Sequence, residues 1–597
     1  MLRIISNRMM NVLSLCMLAL VTQAQLDTIV IGFGGNMPAQ ITSSDPSSDP
    51  ENVFDQSGFL PNDNAASRFL AQATLGYNLD NINQVMSMGK EDWIEEQLAK
   101  PMPFTLLQQV RDYYEFVFNE TGTYDGSSSW LFWEYAWWQY HMTSDDLLRQ
   151  RIALALSEIL VVSENSQFGG NPHALSDYYD ILLTHAFGNY RDLLQAVTYS
   201  ATMGVYLTFV NNPKTDLSEN QFPDENYARE VMQLFTIGLY ELNNDGTYKL
   251  DPQGERIPTY DNVDIAEFSK VFTGLTYGDA SMFPMYRQSD TSYVPDMIMF
   301  DSDHEPGIKN LLNNVQIPNR QPVDGDADIS DALDNLFNHP NVGPFIGKLL
   351  IQRLVTSNPP PEYIDRVAQA FNDNGSGVRG DMKAVIRAIL LDPIANSCDS
   401  GNEITFGMLR EPFVRYFQIN KAFNASTLSG NYRNVMYSVE ENVGQKPLSS
   451  PSVFNFFQPD YQPLGPVEEA DLVAPEFQIT DSQTISGWLN GVYLWVIRGY
   501  PVEAWDIYSG EPDSTYQDEI AMLDFSTEVM LTDDDKLHIL LDRINLVLAQ
   551  GRLTEPTLAI IKETVSQFDN ESDDDKERRA RLAVYLIMSS PEYLINR

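Results

Sequence analysis

From Asp224 to Gly238 the chain reads DENYAREVMQLFTIG, and its apolar positions recur three and four apart. Tyr227, Val231, Leu234, Phe235 and Gly238 therefore form one face of an amphipathic helix. Asp224, after Pro223, is placed to cap that helix by accepting from first-turn amides. Glu225, Asn226, Arg229, Glu230 and Gln233 fill the opposite half, with Glu225 and Arg229 as an i,i+4 pair. Amide- and guanidinium-bearing side chains suit a specific hydrogen-bond network. The stripe reads either as a polar network between helices or as a ligand-facing wall.

The same periodicity runs along most of the chain and predicts a mainly α-helical fold. Helices are expected at Asn64–Leu75, Leu79–Leu98, Ser128–Met142, Ser144–Val162, Ser176–Phe187, Tyr190–Phe209 and Asp261–Phe272. Asn244-Asp245-Gly246 predicts a short β-hairpin joining Thr247–Leu250 to Arg256–Thr259. Residues 277–328 lack sustained periodicity and read as an irregular connection between two helical lobes. The second lobe is expected to hold helices at Ile329–Asn338, Val342–Thr356, Glu362–Asn374, Asp381–Leu391, Arg410–Ala422, Lys536–Ala549, Glu555–Phe568 and Asp574–Ser589. The expected organisation is a signal peptide (1–24), a Ser/Asp/Pro/Gly-rich leader (25–60), an N-terminal lobe (61–276), the connection (277–328) and a C-terminal lobe (329–597).

Charge narrows the function classes. Among 597 residues, 38 Lys and Arg face 83 Asp and Glu, for a net charge of −45. Such a surface repels phosphate backbones, so nucleic acid is excluded as a partner. Arg3 and Arg8, the apolar run Met9–Val21 and Thr22-Gln23-Ala24 resemble a secretory signal, which implies a periplasmic or extracellular protein. Cleavage there removes Cys16 and leaves Cys398 alone, without an internal disulfide. No later apolar run reaches the length of a membrane span.

Several segments together resemble the bacterial domain-of-unknown-function family 1800. They include AASRFLAQATLG (Ala65–Gly76), RQRIALALSEILVVS (Arg149–Ser163), HAFGNYRDLLQAVT (His185–Thr198) and PDENYAREVMQLFTIGLYEL (Pro223–Leu242). VFTGLTY (Val271–Tyr277), HEPGIKNLL (His304–Leu312), LLIQRLVTSNPPP (Leu349–Pro361) and LREPFVRYF (Leu409–Phe417) continue the series. PSVFNFFQPDY (Pro451–Tyr461), LVAPEFQIT (Leu472–Thr480) and SSPEYLI (Ser589–Ile595) complete it. The chain departs from the family pattern at Glu305, where Asp is usual, and at Asn310, where Thr is usual. The resemblance implies an exported, mostly helical protein. It also implies association with an exported partner of family 1501, which resembles alkaline-phosphatase and sulfatase enzymes.

Four constellations carry candidate chemistry. Asp301, Asp303, His304 and Glu305 offer imidazole and carboxylate ligands for a divalent metal, or a base with an orienting acid. Completing that set needs a remote ligand such as His185; the alternative is a structural loop. Asp324, Asp326 and Asp328 occupy the first, third and fifth places of a calcium-type loop. Ile329 and Asn335 at its sixth and twelfth places exclude an EF-hand, which leaves an isolated calcium site or an acidic helix cap. Trp130, Trp133, Trp137 and Tyr140 share a helix face that reads as core or as a sugar-stacking surface. Arg151 and Glu158, seven apart, and Arg410–Glu411 at a helix start read as structural ion pairs. No nucleophile elbow, phosphate loop or dinucleotide fingerprint is present. Two functions follow: a binding or accessory partner of an envelope hydrolase, acting on glycans, or a metal-dependent hydrolase around His304 and Glu305. In the second, the Asn226–Glu230–Gln233 stripe would form a neighbouring wall, with Glu230 and Arg229 as further catalytic candidates.

Overall fold

The computed structural model describes residues 63–123, 129–397, 405–433, 436–498 and 521–597. The expected signal peptide, the expected leader up to residue 60 and Cys398 lie outside the described residues. Within them the protein is mainly α-helical, as the periodicity predicts.

Local chemistry sets the helix ends. The expected helix Leu79–Leu98 is two, Leu79–Met88 and Lys90–Ala99, because Gly89 turns the chain at φ 85°. Ser200 likewise divides Tyr190–Tyr199 from Ala201–Tyr206, its hydroxyl accepting from the Met203 amide. A helix at Leu106–Thr121, capped by Thr105 and closed by left-handed Gly122, was not anticipated. The chain around Asn244-Asp245-Gly246 forms three short segments rather than two, bridged at Leu242–Tyr248, Leu250–Arg256 and Tyr240–Pro258.

Among the described residues the strands form three antiparallel two-residue pairs. Leu275–Thr276 pairs with Ile298–Met299, Lys309–Asn310 with Gln316–Ile317, and Met408–Leu409 with Ile595–Asn596.

One hydrophobic cluster runs from Ala66 to Tyr593 and takes residues from both expected lobes. Helix Leu147–Ser157 packs on Val342–Leu354, Tyr190–Tyr199 on Gly325–Phe337, and Asp63–Ala73 on Leu537–Ala549. The aromatic helix is core rather than a sugar platform. Trp133, Trp137, Trp138 and Tyr140 are buried, and Trp137 stacks on His141 at 3.7 Å. Trp130, one turn before, is 44% exposed. Among the described residues no helix is long and apolar enough to cross a membrane.

Candidate functional site

Every residue of helix Leu147–Ser157 is buried, including Arg151. Burying a guanidinium requires compensation close by, and further charged groups reach it from the end of the same helix and from three distant segments. Glu158 follows at the C-terminal end of the same helix. Arg353 stands in the last turn of Val342–Leu354, where its charge complements the helix dipole. Glu411 precedes Pro412–Ala422 without capping that helix, so its carboxylate turns inward. Glu476 lies in the short turn Pro475–Ile479.

Arg353 Nε is 3.2 Å from Glu158 Oε2, and Arg151 Nη1 is 3.8 Å from Glu411 Oε1. The first contact lacks hydrogen-bond alignment and the second is too long, so all four atoms remain without a hydrogen-bond partner. Arg151 also donates through Nη2 to the Arg353 carbonyl. Gln445 ties the carboxylates together. Its amide donates to Glu411 Oε2 at 2.7 Å and to Glu158 Oε1 at 3.4 Å, while its oxygen accepts from the Phe413 amide at 3.1 Å. The Arg353 guanidinium lies 4.4 Å from the Phe457 ring centre.

Burial dominates the electrostatics. It raises Glu158 well above the ordinary carboxyl value, and the neighbouring Glu411 adds to the rise against the two arginines. Glu476 is pushed up to about 8, chiefly by burial, and neither of its oxygens has a hydrogen-bond partner. Beside this cluster Lys446 meets Glu164 at 2.7 Å, Glu134 at 2.9 Å and Glu440 at 3.4 Å. Burial opposes the Lys446 charge, but the three carboxylates outweigh it and raise its pKa.

A narrow cleft joins the two clusters, walled by Ser157, Glu158, Phe413, Gln445, Lys446 and Asn455 among others. Its interior room, about 10 Å³, is that of one water molecule. The loop from Gln445 to Phe456 closes it and is fastened by Ser163 Oγ to the Ser450 carbonyl and by Asn165 to the Ser449 carbonyl. Leu448 and Asn455, both in that wall, have φ of 54° and 64°. That left-handed backbone is costly for Leu. The Asn455 side-chain nitrogen Nδ2 is buried without a hydrogen-bond partner.

The residues singled out around His304 go elsewhere. His304 is buried, with Nδ1 2.9 Å from the Thr273 carbonyl and Nε2 3.1 Å from Asp328 Oδ2. Both ring nitrogens are thus taken up by oxygen atoms of the protein. Gly274, at φ 87°, permits this approach, since a Cβ there would stand 3.0 Å from the His304 amide nitrogen. Glu305 accepts from the Thr215 amide, Asp301 from the Gly325 amide and Asp303 from the Ser302 hydroxyl. His185 ends helix Pro172–His185, and burial lowers its pKa. Among the described residues no group of three His, Cys, Asp or Glu side chains is placed to hold a metal.

The aspartates of the calcium-type pattern also separate. Asp324 caps Gly325–Phe337 by accepting from the Ala327 amide, so the helix begins four residues before the expected Ile329. Asp326 accepts from the Tyr199 hydroxyl. Asp328 joins His304, Lys309 and Arg320. Along the polar stripe, Glu225 and Arg229 form an exposed pair at 3.6 Å, and Gln233 accepts from Tyr260. Asn226 donates to Thr208, and Glu230 is buried with its pKa raised by that burial.

Sequence reasoning had paired Arg151 with Glu158 as structural and passed over Glu476, Gln445, Lys446 and Asn455. A signal was present for most of the cluster. Arg151, Glu158, Arg353, Glu411, Asn455 and Glu476 all fall inside the segments that carry the family resemblance, whereas Gln445 does not.

These features define a mainly helical protein with a charged cluster sealed in its core beneath a strained loop. The family model for "Protein of unknown function (DUF1800)" matches residues 68–595, and the chain belongs to that family. Neither the curated proteins nor the solved structures contain a match to it.

Proposed function

We propose that this chain is an exported binding or accessory protein that takes a hydroxyl-rich ligand, such as a glycan segment, at the cleft beneath the Gln445–Phe456 loop. The observation that carries this reading is the cleft wall itself. Glu158 Oε2 and Asn455 Nδ2, neither with a hydrogen-bond partner, lie in a wall shared with Phe413 and Phe456, a mixture suited to sugar hydroxyls and ring faces. The closed cleft holds only a water, so binding requires the loop to open. Left-handed Leu448 favours opening, since such strain costs on the order of 1–3 kcal/mol. In this reading the protein serves an envelope hydrolase of the sulfatase- or phosphatase-like family 1501.

Glycan arrays and calorimetry with envelope polysaccharide fragments test it. Wild type is expected to bind, and Asn455→Ala to bind about tenfold more weakly through loss of a buried donor. Blank arrays together with a blank pull-down against a family 1501 neighbour would remove the reading.

A further inference from the structure

The loop that closes the cleft is held at its two ends and at its crest by different means. At one end Lys446 is almost wholly buried and meets Glu134 on helix Phe132–Thr143, Glu164 on the segment after Leu147–Ser157 and Glu440 on helix Tyr437–Val443. Withdrawing a buried ammonium from three carboxylates is costly, so this end is an anchor. At the other end Phe456 and Phe457 are buried, with the Arg353 guanidinium over the Phe457 ring. Between the anchors Pro451, Ser452 and Phe454 are exposed. Left-handed Leu448 and Asn455 stand at the two ends of this crest, next to the anchors. Rotation at those two positions lifts what lies between them.

Three consecutive residues of the body grip the crest through its main chain. The Glu164 amide donates to the Leu448 carbonyl at 2.8 Å, Asn165 Nδ2 to the Ser449 carbonyl at 2.8 Å and Ser163 Oγ to the Ser450 carbonyl at 2.6 Å. The Ser163 hydroxyl also accepts from the Asn165 amide at 3.2 Å, which shapes the strap itself. Ser163, Glu164 and Asn165 all lie outside the cleft wall. Inside the loop, Ser449 Oγ donates to the Lys446 carbonyl and Ser450 Oγ to the Ser452 carbonyl, both at 3.1 Å, so the crest keeps its shape as it lifts. Neutral hydrogen bonds to carbonyls are weaker ties than the buried charges at Lys446, so the strap yields first.

We propose that Ser163-Glu164-Asn165 is a latch that holds the crest shut, and that the strength of its three bonds sets how readily the cleft fills. The proposal rests on the cleft being the ligand site. Affinity for a site that is open only a fraction of the time is reduced by that fraction. Loosening the strap, which does not touch the ligand, therefore tightens binding. That sign separates a latch from a ligand contact or a purely structural tie, whose loss weakens binding or leaves it unchanged.

Hydrogen exchange of the full chain, followed by mass spectrometry, reads the opening directly. Calorimetry with oligosaccharides released from envelope polysaccharide by mild acid reads its consequence. Ser163→Ala and Asn165→Ala each remove one bond and should speed exchange across residues 446–456 about fivefold. Exchange in helix Val342–Leu354 should not change, and oligosaccharide affinity should rise by the same factor as loop exchange. Asn165 is exposed, so Asn165→Ala keeps the test should Ser163→Ala fail to fold. Faster loop exchange with no oligosaccharide bound by any form supports the latch and removes the ligand reading. Three results would each overturn the latch. They are unchanged loop exchange in both variants, exchange that quickens equally in helix Val342–Leu354, and a wild type that binds while both variants bind no more tightly.

Discussion

Arg353 and Glu158 face each other across the core at 3.2 Å, from helices in the two halves of the sequence, with both side chains almost wholly buried. Burial and the neighbouring Glu411 raise the Glu158 pKa well above the ordinary carboxyl value, against the pull of Arg353 and Arg151. Replacing Glu158 by Gln keeps the shape of a side chain whose charge burial disfavours, and should change stability by under about 1 kcal/mol. Glu411→Ala should cost about 3–5 kcal/mol, because Arg151 then has no carboxylate opposite it. Urea denaturation of the two variants checks the order. Equal losses would mean that the cluster carries its charge differently.

Glu476 makes the fold sensitive to pH. Its folded pKa, about 8, lies above the ordinary 4.5, so the native state holds a proton that the unfolded state releases. Its contribution is therefore fully present below 4.5 and is lost as pH rises through about 8. At about 1.4 kcal/mol per unit the loss across that window is of order 4 kcal/mol. Denaturation from pH 5 to 9 should show the wild type weakening relative to Glu476→Gln, which has no proton to release. Parallel curves would contradict this.

The helices were legible because their apolar spacing is local information. Asp224, Asp261 and Ser572 announce helix starts within three residues of the donors they cap. The site was not legible in the same way. The spacing of Arg151 and Glu158 shows a shared face, but nothing near them names Arg353, 202 residues beyond Arg151. The His304 loop misled for a related reason. Its three neighbouring carboxylates suggested a ligand set, while the partners that consume the imidazole, Thr273 and Asp328, approach only through the fold.

The polar stripe should be thermodynamically quiet at its exposed end. Glu225 and Arg229 are 49% and 41% exposed and meet at 3.6 Å. An exposed i,i+4 pair contributes roughly 0.3–0.5 kcal/mol. Arg229→Ala should therefore leave Tm almost unchanged, and it should leave glycan binding intact because Arg229 is not part of the cleft wall. Loss of binding in this variant would move the ligand site to the stripe.

The last test concerns what His304 is for. Asp328 Oδ2 receives His304 Nε2 at 3.1 Å and Lys309 Nζ at 2.6 Å, and its other oxygen receives Arg320. Burial alone would raise the Asp328 pKa, but hydrogen bonds from His304 and Lys309, with their charge, outweigh it and lower the value. Its contribution to stability is thus present above the ordinary 3.8 and lost as pH falls through the lower folded value. A structural tie of this kind predicts a ranking. Asp328→Ala strands Lys309, which is almost wholly buried, and should cost about 3–5 kcal/mol. His304→Ala leaves Asp328 with two cations and should cost less, about 1–3 kcal/mol. Denaturation gives the ranking, and elemental analysis of the purified proteins should find the same divalent-metal content in wild type and His304→Ala. A bound metal that disappears with His304 would instead make the imidazole a ligand, and would require it to release Asp328.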